Sequence, residues 1–109
     1  MNLISRIEEL ILASIWRLEE NAFGLAILDE LERVTGKAWL SGSIYASLAR
    51  LLKQGYVEAI EGKPTPERGG RRKIYYRVTP EGQKALMALR KVHTALWTGL
   101  PPFELNGKD

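Results

Sequence analysis

The stretch from Leu40 to Val57, LSGSIYASLARLLKQGYV, constrains the fold more than any other. Small polar residues open it, and Ile44, Leu48, Leu51 and Leu52 follow at the spacing of a core-facing helical row. Ser43, Ala46, Ser47 and Arg50 read as the opposite face, which is small, hydroxylated or cationic. Gly55 stops the helix, and Tyr56-Val57 begins an extended segment. A short helix that buries one row and keeps its other face slim suits insertion into a groove. The major groove of B-DNA, about 12 Å wide, admits one such helix.

Charge sharpens this reading. The 109 residues carry a net charge of only +3, but it is unevenly placed. Residues 1–35 hold three arginines against seven acids. Residues 36–55 hold Lys37, Arg50 and Lys53 with no acid, and residues 62–73 hold Lys63, Arg68, Arg71, Arg72 and Lys73 against Glu67 alone. Two basic blocks, one on the slim helix and one shortly after it, point to a polyanionic partner.

The residues before the helix supply its support. A helical pattern runs from about Leu3 to Glu19, with Ile4, Ile7, Ile11, Ser14, Ile15 and Leu18 on one face and a second strip of Leu3, Leu10 and Trp16. Residues 21–24 read as a turn, with Asn21 as a cap for a second helix that reaches about Val34. Leu25, Ile27, Leu28, Leu31 and Val34 are expected to face inward there, and Gly36 to end it as a left-handed cap. After Gly55, residues 56–61 and 73–78 are strand-like, and the ten residues 62–71 hold two prolines and three glycines among basic side chains. Tyr75 and Tyr76 alternate, so one should face the core and one the hairpin surface. Three helices followed by a basic hairpin is the order of a winged helix-turn-helix, mostly α with a small β-hairpin, whose third helix reads the major groove.

The residues also carry a resemblance. Gly42-Ser43-Ile44-Tyr45, the Leu48–Leu51–Gly55-Tyr56-Val57 continuation, and Gly70-Arg71-Arg72-Lys73-Ile74-Tyr75-Tyr76-Arg77-Val78-Thr79-Pro80-Glu81-Gly82 are similar to the two motifs of the PadR family of bacterial transcriptional regulators. The likeness covers about residues 7–97. It implies a homodimeric winged-helix protein, usually a repressor, with a C-terminal helix in the dimer interface. Two departures stand out. Leu40 replaces the family's usual Ser or Thr two residues before the motif glycine, which leaves Ser41 as the expected cap or phosphate contact. Phe23-Gly24-Leu25 replaces His-Gly-Tyr, and Leu25 is read as core.

The final helix is marked by Thr79 as cap, Pro80 at its first position and Glu81 at the positive end of its dipole. Leu86, Leu89, Val92, His93, Leu96 and Trp97 form a near-heptad stripe, read as a dimer surface facing Leu3 and Leu10 of a second copy. The expected organisation is a DNA-binding unit over residues 1–78, a dimerisation helix over 79–98 and a tail over 99–109. DNA contact is expected from Ser41, Ser43, Ala46 and Arg50 on the helix and from Lys63, Arg68, Arg71, Arg72 and Lys73 on the hairpin, while Tyr45 is as much a packing residue as a contact. A small aromatic effector near the dimer interface, sandwiched by Trp97, follows from the resemblance. His93 has no second His or Cys to share a metal with, no cofactor site is apparent, and no grouping of side chains suggests catalysis. The longest apolar run is too short to span a bilayer, and the first residues do not read as a signal peptide, so the expected location is cytoplasmic. The competing reading is a winged-helix module that binds protein, for which four net positive charges on the hairpin would serve no purpose.

Overall fold

The computed structural model describes residues 4–64 and 72–102, with the side chains of Lys63, Pro64 and Arg72 excepted. The first helix, α1 (Arg6–Leu18), begins in a capping box: the Ser5 hydroxyl accepts from Glu8 N–H at 3.2 Å while the Glu8 carboxylate accepts from Ser5 N–H at 3.0 Å. Ile11, Leu12 and Ile15 on this helix are fully buried and form the centre of the core. Leu12 lies outside the row expected from the sequence. It is buried because α1 is covered on more than one side, by α2 (Gly24–Thr35), α3 (Ser41–Lys53) and the hairpin.

A short 3-10 turn over Glu19–Asn21 links α1 to α2. Asn21 does not cap the second helix: the N-cap is Phe23, without a side-chain hydrogen bond. Ile27 and Leu31 of α2 are buried, but Leu25 is 60% exposed and Val34 is also largely in solvent. Both were expected to face inward. Leu25 sits about 160° around the helix from Ile27 at 100° per residue, and Val34 falls in the last turn, where the covered stripe runs out. Gly36 takes the left-handed conformation expected of it, with φ 71°.

In α3 the buried row is Ile44, Leu48 and Leu51. Leu52 lies at its edge and is exposed, whereas Ser47, expected outside, is 1% exposed. The buried arc is rotated toward Ser47 because α1 packs on that side, and the Ser47 hydroxyl finds Arg50 as its partner.

Strands β1 (Val57–Pro64) and β2 (Arg72–Val78) pair antiparallel, with Val57 opposite Val78 and Ile60 opposite Tyr75. A third segment joins them: Phe23 forms a bridge to Tyr75, and Tyr76 N–H donates to Ala22 O at 2.8 Å. Tyr76 packs against the core, while Tyr75 meets Phe23 edge-on at 5.7 Å between ring centres. The wing is thereby sewn to the body of the domain.

The last helix, α4 (Pro80–Trp97), is pinned at its start. Thr79 accepts from Gly82 N–H at 3.1 Å and donates through the same hydroxyl to Gly55 O at 2.6 Å. Gly82 is pressed so close to the turn after α3 that an added Cβ would stand 2.1 Å from Tyr56 O. Replacing Gly82 with Ala should therefore cost roughly 1–3 kcal/mol through overpacking against backbone. Gly42→Ala, in open space within α3, should be neutral or stabilising by up to about 1 kcal/mol. Urea denaturation of the two variants reads the contrast directly.

Candidate nucleic-acid interface

Three elements converge on one face. Tyr45 of α3, the start of α2 and the loop-side start of β2 meet around a cleft of about 420 Å³ lined by Phe23, Gly24, Leu25, Tyr45, Lys73 and Ile74, with Tyr76 at its back. Tyr45 reaches from α3 across Gly24, where a Cβ would collide with its phenol. Its presence near Tyr76, together with the burial of Tyr76, which is the larger effect, raises the Tyr76 phenol above its ordinary value. Lys73 holds its ammonium 3.9 Å over the Phe23 ring. The third helix and the loop-side start of β2 are thus joined by side-chain packing as well as by connectivity.

The sequence-derived site residues fall as follows. Ser41, Ser43, Tyr45 and Ala46 are all exposed on the first turns of α3. The cap of this helix is Leu40, not Ser41, and it makes no side-chain bond; the first amides to close are Ser43 and Ile44, both donating to Leu40 O. Arg50 is solvent-facing but engaged: its Nε donates to Glu8 at 3.2 Å and its Nη2 to Ser47 at 3.0 Å. Lys63 and Arg72 lie on the paired strands. Arg68 and Arg71 lie outside the described residues, as does Leu3.

The turn before α3 is held by a residue that the sequence reading passed over. Trp39 donates its indole N–H to Thr35 at 3.0 Å and its backbone N–H to Glu32 at 3.3 Å, with Lys37 stacked 4.9 Å above its ring. Gly36 followed by an aromatic three residues on was the available signal.

The residues assigned to a dimer surface divide in two. Leu10 and Leu86 pack on the protomer's own core, Val92 is half-buried, and Leu89 is only 6% exposed. His93 lies 2.9 Å from Glu9 and ties α4 to α1 within the protomer. Leu96 and Trp97, the latter 73% exposed, are uncovered at the far end of α4, and Met87 is uncovered in its first half. Of the stripe, Leu96 and Trp97 are the residues the protomer itself leaves uncovered. Among the described residues no group of acids and histidine could hold a metal ion, and no helix is long and apolar enough to cross a membrane.

Glu8 holds this arrangement in register. One oxygen serves the cap of α1 and the other Arg50 on α3. Burial pushes its carboxyl up, but the Ser5 amide, Arg50 and the Ser5 hydroxyl together outweigh this and hold it below its ordinary value of 4.5. A depressed carboxyl contributes stability that is present above its ordinary value and lost as the pH falls through the folded one. Glu8→Gln should then lower stability at neutral pH by about 1–2 kcal/mol, allowing for the exposure of Arg50. The deficit should shrink below about pH 4, as read from denaturation curves at neutral and acid pH.

The model of the transcriptional regulator PadR-like family matches residues 11–88. The fold is similar to that of a PadR-like transcriptional regulator from Bacillus cereus, at 25% identity and a TM-score of 0.70, over 84% of each chain. It is similar to a transcriptional regulator from Clostridium thermocellum, at 25% identity and a TM-score of 0.69, over 83% of this chain and 84% of that one. The complex structure of hsRosR-S4 aligns at 26% identity and a TM-score of 0.71, over 90% of this chain and 77% of that one. The sequence has no significant match among curated proteins.

Proposed function

The chain belongs to the PadR-like family of transcriptional regulators, a regulator family and not an enzyme family, and from that premise we propose that it is a cytoplasmic repressor that binds a pseudo-palindromic DNA operator as a homodimer. The observation that carries this reading is the single face shared by the exposed first turns of α3 and the loop-side start of β2. Residues 62–73, which span that wing, hold five cations against one acid. Ser41, Ser43, Tyr45 and Ala46 enter the major groove, while Lys63, Arg68, Arg71, Arg72 and Lys73 meet phosphates along its edge. Arg50 acts from the position Glu8 gives it, at the rim of the groove.

The second copy docks on α4. What supports this is the uncovered apolar end of that helix, Leu96 and Trp97. Exposed aromatic surface of this size on a small domain calls for a partner. Residues 1–78 form the DNA-binding unit, 79–98 the dimerisation helix and 99–109 the tail. Trp97 also offers a flat face for a small aromatic effector at the same interface.

Duplex affinity measured against salt concentration tests the reading. Each phosphate neutralised adds roughly −0.9 to the log–log slope, so a dimer should exceed about −3. Arg71→Ala with Arg72→Ala should weaken binding to every sequence and flatten that slope, whereas Ala46→Phe should damage the preferred site more than random DNA. A salt-independent affinity, or wing variants with full affinity, would contradict it.

A further inference from the structure

The reading end of α3 carries a leucine where a capping hydroxyl belongs. Leu40 is the N-cap, with extended backbone at φ −80° and ψ 129°, and its side chain satisfies none of the helix's first amides. Ser, Thr, Asp or Asn at that position would bond one of them and stabilise the helix. Leu40 is instead 78% exposed, more than any other large hydrophobic residue among those described. The chain forgoes a cap and holds an apolar side chain in water at the helix end whose residues reach base edges in helix-turn-helix proteins.

The rest of that face explains what such a side chain could do. Its exposed positions are Ser41, Gly42, Ser43, Tyr45, Ala46 and Ala49. None is Arg, Lys, Asn or Gln, the side chains that read guanine or adenine through paired hydrogen bonds. The nearest guanidinium, on Arg50, is held by Glu8 and Ser47. Methyl and hydroxyl groups are left to do the reading. In the major groove the apolar group that a base pair presents is the thymine 5-methyl.

We propose that Leu40 is a specificity-determining residue whose exposed side chain packs against thymine 5-methyl groups, so that this chain selects its site by apolar contact more than by paired hydrogen bonds. The inference rests on the DNA-binding reading and goes beyond it in naming the chemical group that is recognised. Removing the methyl while keeping every hydrogen-bonding group isolates it: uracil replaces thymine.

The test compares three duplexes of one length: a site selected by the wild-type protein, the same site with uracil for thymine, and a scrambled sequence. Wild type should prefer the thymine site over its uracil form by about fourfold for each methyl contacted. Leu40→Ser should bind the two forms alike and melt at a higher temperature because a capping hydroxyl has been supplied. Stability and specificity then move in opposite directions, which a purely structural residue would not do. Equal wild-type affinity for the thymine and uracil sites would overturn the proposal, as would a Leu40→Ser variant that keeps the wild-type ratio. If no duplex binds at all, scrambled included, the DNA-binding reading falls as well, an outcome distinct from loss of the methyl preference alone.

Discussion

The Glu8 carboxylate accepts from the Ser5 amide at one oxygen and from Arg50 at the other, and the placement of the helices depends on that division. A carboxylate this buried is costly to leave without partners, so α1 and α3 are held at the separation that satisfies both ends. The apolar core alone would not fix this. Ile11, Leu12, Ile15, Ile44 and Leu48 fill volume, and an apolar surface tolerates sliding better than a two-ended hydrogen-bonded joint does. Arg50 in turn draws Ser47 inward and sets the rotation of α3 about its axis. That rotation decides which residues are presented outward.

The remaining joints extend the same frame. Thr79 binds the start of α4 to the turn after α3, and Gly82 allows backbone contact there. The bridge at Phe23 and the bond from Tyr76 to Ala22 carry the wing on the same body. Glu30 adds a surface clasp between α1 and α2: hydrogen bonding from Arg33, with help from Arg17, holds its carboxyl below the ordinary value. Being exposed, this clasp is screened by salt and contributes little beside the joint at Glu8. The third helix, the hairpin and α4 are thus all referred to α1.

Much of this was legible in the sequence, because helical periodicity and caps are local. Ile11, Ser14 and Ile15 of α1, Ile44, Leu48 and Leu51 of α3, Gly36, and the Thr79-Pro80-Glu81 start of α4 were all readable as written. What escaped depends on neighbours remote in sequence. Ser47 and Arg50 read as outward until Glu8, 42 residues from Arg50, is brought beside them. Leu25 and Val34 looked like core because periodicity gives an angle but not the extent of cover. Asn21 resembled a cap, yet the backbone there serves a sheet. Leu89 is buried within the protomer, which a heptad stripe does not foretell, since it does not distinguish cover by the protomer from cover by a partner. At Leu40 the capping rule is broken: the N-cap side chain bonds none of the first amides.

The central claim is that two copies of this domain present their α3 helices to one duplex as a symmetric pair. Repeated selection of bound fragments from a random duplex pool, with the wild-type protein, tests it most directly. The account predicts enrichment of inverted half-sites whose centres lie about one helical turn, roughly 34 Å, apart. A pool that yields a lone half-site, half-sites at no fixed spacing, or no enrichment over the starting mixture would contradict it.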